Sequence, residues 1–159
     1  MKHRFQLALL IAVAAVFVAN TGMAETPGLV GKWHWNPKLS SSMEDGPPPK
    51  DVLLDIASAT DKLVQWTVTE TDDKGAKHII SFNGPANALP RPLQGGQDRT
   101  TAVFSVTTGA MKVTFRSTSG DTDTQDCSMS TDARRLTCRG TILFTGGKSA
   151  NYVDVYDRL

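Results

Sequence analysis

Beyond the first two dozen residues, the side chains best suited to chemistry are two histidines, His34 and His78, and two cysteines, Cys127 and Cys138. Neither histidine has a second histidine or a cysteine two or four positions away, so the three or four ligands a zinc ion takes are missing. His34 alternates with Trp33 and Trp35 and is expected on the outer face of a strand. His78 opens an alternating run and reads as a hydrogen-bonded rim residue. The string Asp121, Asp123, Asp126 and Asp132 has the acidic density of a calcium loop. It nevertheless puts Asp126 where glycine is required and Asp132 where glutamate is required. Turns and strand edges account for these aspartates more simply. Gly147-Lys148-Ser149 resembles the end of a phosphate-binding loop, but Ile142 stands where the earlier glycine belongs. No G-x-S-x-G elbow is present. These residues provide no catalytic, metal or cofactor constellation, and the chain reads as a non-enzyme.

The cysteines belong to the architecture. A turn centred on Asp132-Ala133 sets Cys127 opposite Cys138 and Met129 opposite Leu136 on paired strands. Cβ atoms so placed are about 4.5–5.5 Å apart, close to what a disulfide spans. A redox-active pair would want a C-x-x-C spacing or an electropositive setting, and neither is visible. The pair reads as a structural disulfide of an oxidising compartment.

The elements that must position all these groups are strands. Turn residues cut the chain into short runs rich in Val, Thr, Ile and aromatics, alternating apolar with polar. Trp33 and Trp35 share one face. Val52, Leu54 and Ile56 share another, as do Val64, Trp66 and Val68. His78, Ile80 and Phe82 follow the turn Asp72-Asp73-Lys74-Gly75. Next come Ala102, Phe104 and Val106, then Met111, Val113 and Phe115. Cys127 and Met129 pair with Leu136 and Cys138, a run that extends through Ile142 and Phe144. The last strand surrounds residues 152–156. Between Phe82 and Ala102, the segment 83–97 carries three prolines and three glycines and reads as a long loop, because proline removes a ladder donor. Eight or nine strands joined by tight turns predict sequential antiparallel neighbours and an all-β domain. An up-and-down barrel removes exposed edges; a β-sandwich is the alternative.

Residues 1–24 read as a secretory signal peptide. A basic start (Lys2, Arg4) precedes the apolar run LALLIAVAAVFVA, and Gly22 and Ala24 are the small residues before cleavage at Glu25. The apolar run is shorter than the roughly 20 residues of a membrane-spanning helix. No cysteine follows the cut to take a lipid. Residues 25–159 are then one exported β domain, periplasmic or secreted, with no membrane span. Without Lys2 and Arg4 the 17 basic residues fall to 15 against 16 acidic ones, a formal charge of −1. That charge gives no electrostatic footprint for nucleic acid.

Two stretches carry a family resemblance. One is Gly31-Lys32-Trp33 with Asn36-Pro37, followed by Gly46-Pro47-Pro48-Pro49-Lys50 running into Val52. The other is Asn151-Tyr152-Val153-Asp154-Val155-Tyr156-Asp157-Arg158. Together they resemble a group of small exported bacterial proteins of unknown function with a lipocalin-like β-barrel. The resemblance implies that Trp33 closes one end of the barrel and that Arg158 packs across it.

Such a barrel has an interior just wide enough for side chains or for one small ligand. The inward set is expected to include Trp33, Trp66, Ile80, Phe82, Phe104, Met111, Val113 and Phe115, which either fill it or leave room. If they leave room, Trp66, Phe104 and Phe115 line the site of a small apolar molecule. A second reading is a protein-interaction module, such as an inhibitor of a secreted hydrolase, acting through segments 83–97 and 40–50. A third is a structural or stress-related envelope protein.

Overall fold

The computed structural model describes residues 28–41, 48–86, 89–96 and 100–159. Residues 1–27, with the stretch read as a signal peptide, and residues 42–47, 87–88 and 97–99 lie outside the described residues.

Ten antiparallel strands follow one another in a single sheet: β1 (Gly31–Trp35), β2 (Asp51–Ala59), β3 (Val64–Thr71), β4 (Lys77–Gly84), β5 (Arg91–Pro92), β6 (Thr101–Thr107), β7 (Ala110–Arg116), β8 (Thr122–Met129), β9 (Arg135–Leu143) and β10 (Ser149–Arg158). The order across the sheet is β4-β3-β2-β1-β10-β9-β8-β7-β6-β5. The first strand therefore lies against the last, as an up-and-down barrel requires. The two outermost strands meet through Ser81 of β4 and Gln94 just beyond β5, which exchange N–H···O bonds of 2.9 Å in both directions. This bridge nearly closes the barrel and sets the sandwich alternative aside.

The strand count of eight or nine is corrected to ten among the described residues. The extra strand, β5, sits within the segment read wholly as loop, and it is only two residues long. Its proline is tolerated because β5 has a full ladder on one side only, with β6.

Register carries the alternation right round the barrel. Tyr152 stands opposite Gly140, Gly140 opposite Gln125, Gln125 opposite Val113, and Val113 opposite Phe104. On the other side Trp35 faces Tyr156, Val52 faces Glu70, and Glu70 faces His78. All these residues belong to the interior face, but it differs from one end of the barrel to the other. At one end Trp33, Ile56, Val64, Phe104, Val113 and Leu136 are buried to 1% exposure or less. Phe104 packs there against Phe82 at 4.5 Å between ring centroids. At the other end the interior rows carry Glu70, Asp123, Gln125, Tyr152 and Asp154 among the apolar residues, and there the barrel is hollow.

Cys127 and Cys138 face each other across β8 and β9 and form a disulfide, with Met129 opposite Leu136 in the same register. The tight turn between the strands puts Ala133 at a φ of +57°. At the filled end the Arg158 guanidinium lies 4.0 Å from the Trp33 ring centroid. It donates to the carbonyls of Ala133, Val30 and Gly28 at 2.7–3.0 Å, while Trp33 Nε1 donates to Leu29. A side chain at Gly31 would collide with that guanidinium, and its φ of +148° suits glycine alone, which gives the G-x-W opening a steric reason.

Candidate ligand cavity

The hollow end holds a cavity of about 640 Å³. Its apolar wall comes from alternate positions of six strands: Trp35 of β1, Val52 of β2, Trp66 and Val68 of β3, Ile80 of β4, Phe115 of β7 and Ile142 of β9. Trp66 and Phe115 touch ring to ring at 5.9 Å. Phe104, expected beside them on the wall, is corrected: it is wholly buried and does not line the cavity. Its ring lies behind theirs, 6.0 Å from Trp66 and 6.3 Å from Phe115, because β6 turns this position into the filled end.

The polar wall is built by β8 and β10. Tyr152 donates its hydroxyl to Asp123 Oδ2 at 2.6 Å, and Gln125 Nε2 donates to the same oxygen at 3.1 Å and to the Tyr152 oxygen. Tyr152 can lie in this place because its register partner is Gly140; a methyl group there would stand inside the tyrosine ring. Asp123 Oδ1 is buried and has no hydrogen-bond partner among the described residues. Burial holds the Asp123 carboxyl above its ordinary range, although the bonds from Tyr152 and Gln125 pull the other way. The Tyr152 phenol is pushed far up by burial and then by its bond to Asp123. Next along β10, Asp154 accepts from Trp35 Nε1 at 3.1 Å. Tyr156 is also raised, by burial first and then by the charges of Asp154 and Glu70.

The reading of Asp123 as a strand-edge residue is corrected: it points into the barrel. The other three aspartates of the string are exposed or half-exposed at turns and strand surfaces. Asp121 accepts from Thr145 and Ser119, Asp132 from Ser130, and Asp126 lies 3.5 Å from Lys112. Of the histidines, His34 is exposed beside Asp51 at 2.6 Å, and His78 stands at the cavity rim, 3.4 Å from Asp72. Neither joins the polar wall. Among the described residues no group of three His, Cys, Asp or Glu is arranged to hold a metal ion.

Sequence reasoning missed the polar wall, although its signal was present. Asp123 and Gln125 have the same parity as Cys127, and Tyr152 and Asp154 the same parity as Tyr156. Carried past the apolar residues, the alternation puts all four inside.

No protein-family model matches the sequence, and no curated protein matches it. Among solved structures the chain is similar to zebrafish ileal bile acid-binding protein complexed with cholic acid. The TM-score is 0.52 at 17% sequence identity, covering 82% of this chain and 98% of that chain. At this identity the likeness is one of fold. No helix among the described residues is long and apolar enough to cross a membrane.

Proposed function

We propose that the chain is an exported binding protein that encloses one small hydrophobic molecule in the hollow end of its barrel, and that it makes or breaks no bond in it. The observation that carries this reading is the cavity itself. Its volume of about 640 Å³ falls within the roughly 300–1,000 Å³ of small-molecule sites, and like them it is mostly apolar with a few convergent polar groups. A barrel of the same kind belongs to a bile acid-binding protein, which supports enclosure as its use. Trp66 and Phe115 supply the flat apolar contact. The Cys127–Cys138 disulfide suits the oxidising compartment, periplasmic or extracellular, to which the signal sequence would send it. The G-x-W opening and the C-terminal motif support a place among the small exported lipocalin-like proteins.

Titration with Nile red, a neutral apolar dye, tests the reading. The wild-type protein is expected to take up one equivalent saturably. Val68→Trp, which fills the cavity from its wall, is expected to weaken uptake by roughly tenfold or more, the cost of a few lost apolar contacts. Leu53→Trp, on the outer face of the same sheet, is expected to leave uptake unchanged. Equal binding by all three proteins would place the dye elsewhere and contradict the proposal.

A further inference from the structure

We infer that the molecule this cavity takes carries a positively charged, hydrogen-bond-donating head group, an amine-bearing amphiphile rather than a carboxylic acid. The inference rests on the binding reading above and adds to it the sign of the ligand.

Three carboxylates, Glu70, Asp123 and Asp154, line the cavity, whereas no lysine or arginine does among the described residues. Among the described residues the single basic group on the lining is His78, at the exposed rim and already beside Asp72. A carboxylate ligand would bring a further negative charge into a half-desolvated space where no lysine or arginine among the described residues stands to receive it. Like charges a few ångströms apart repel strongly where water is scarce. An ammonium group would meet the opposite field.

Hydrogen-bonding capacity points the same way. Tyr156 is about nine-tenths buried and lines the cavity, and its hydroxyl has no hydrogen-bond partner among the described residues. A phenol oxygen accepts readily from an ammonium N–H. The charges of Asp154 and Glu70 act on this phenol, and those of Asp123 and Asp154 on the Tyr152 phenol. Tyr152, Tyr156, Asp123 and Asp154 thus make one acceptor-rich wall, while Glu70 stands on β3 opposite Val52 and acts on Tyr156. Trp35, Trp66 and Tyr156 add aromatic surface, which attracts cations. The wall of Val52, Val68 and Ile80, which Glu70 borders, takes the apolar body.

The test compares three ligands with the same tail: dodecylamine, dodecanol and dodecanoate, each titrated calorimetrically at neutral pH and low salt, below its micelle concentration. The amine is expected to bind tightest, at least roughly tenfold tighter than the acid, the scale of a close and partly screened charge contact, with the alcohol between them. Glu70→Gln and, separately, Asp154→Asn are expected to reduce amine affinity several-fold more than they reduce dodecanol affinity. The alcohol also reports whether each variant retains its cavity. If dodecanoate binds as tightly as the amine or tighter, the charge inference is overturned while the binding reading stands. If both variants keep the full preference for the amine, the assignment to these carboxylates is overturned. If none of the three ligands binds, the binding reading fails and the inference falls with it.

Discussion

At the scale of single residues, the unusual group is Asp123. A carboxylate on the interior row of a barrel must give up water, and its hydrogen bonds from Tyr152 and Gln125 do not offset that loss, so its folded pKa lies above the ordinary 3.8. The sign of the linkage follows. The folded chain takes up this proton more readily than the unfolded chain, so ionised Asp123 costs stability above the folded pKa. That cost is relieved as the pH falls through the folded pKa towards 3.8. Asp123→Asn keeps an acceptor for Tyr152 and removes the charge. Thermal unfolding of the ligand-free protein at neutral pH is therefore expected to shift up by a few degrees, with the gain fading on acidification. Asp72, Asp121, Asp132 and Asp157, whose pKa values are lowered by hydrogen bonds, lose their contributions equally in both proteins and cancel from the difference. A variant less stable than the wild type at neutral pH would show that the charged network stabilises the fold. Asp123 was hard to read in the sequence because it sits among aspartates that do belong at turns. Parity with Cys127 was the only clue, and an apolar-in, polar-out reading discards it.

At the scale of elements, the β8–β9 hairpin shows what could be read and why. Its register was legible because the turn at Asp132-Ala133 leaves one pairing for Cys127 and Cys138, and that pairing places Met129 opposite Leu136. The closing strand β5 was not legible. Two residues, one of them proline, carry no alternation; only β6 gives them partners, and β4 is met two residues further on, at Gln94. Likewise Phe104 and Phe115 share an interior face on neighbouring strands, and nothing local says that one is deep in the filled end while the other lines the hollow. The disulfide belongs to the filled end. Replacing both cysteines by serine is expected to lower stability in urea by about 1–3 kcal/mol, since the hairpin already limits the chain that the bond would constrain. Nile red affinity is expected to stay the same. A matching loss of affinity would mean that the bond also shapes the cavity.

At the scale of the whole molecule, the barrel divides its labour along its axis. One end is packed solid around Trp33, Ile56, Phe104 and Leu136 and capped by Arg158 lying on Trp33. It provides the cooperative core that a single domain of this length needs. The other end then need not be filled, and its interior carries carboxylates and phenols that a packed core would exclude. Whether the inward residues fill the barrel or leave room therefore has a divided answer, one for each end. The sequence lists the inward residues but not the strand tilt and stagger that decide how much space they enclose. The central claim, that the hollow end carries a ligand, is tested most directly by the mass of the protein purified from its own compartment, under native and then denaturing conditions. The account predicts a native mass above that of the disulfide-bonded polypeptide, with the excess released into organic solvent as a single amine-bearing class of compound. A bare polypeptide mass, together with no saturable uptake of Nile red or the dodecyl ligands, would contradict it.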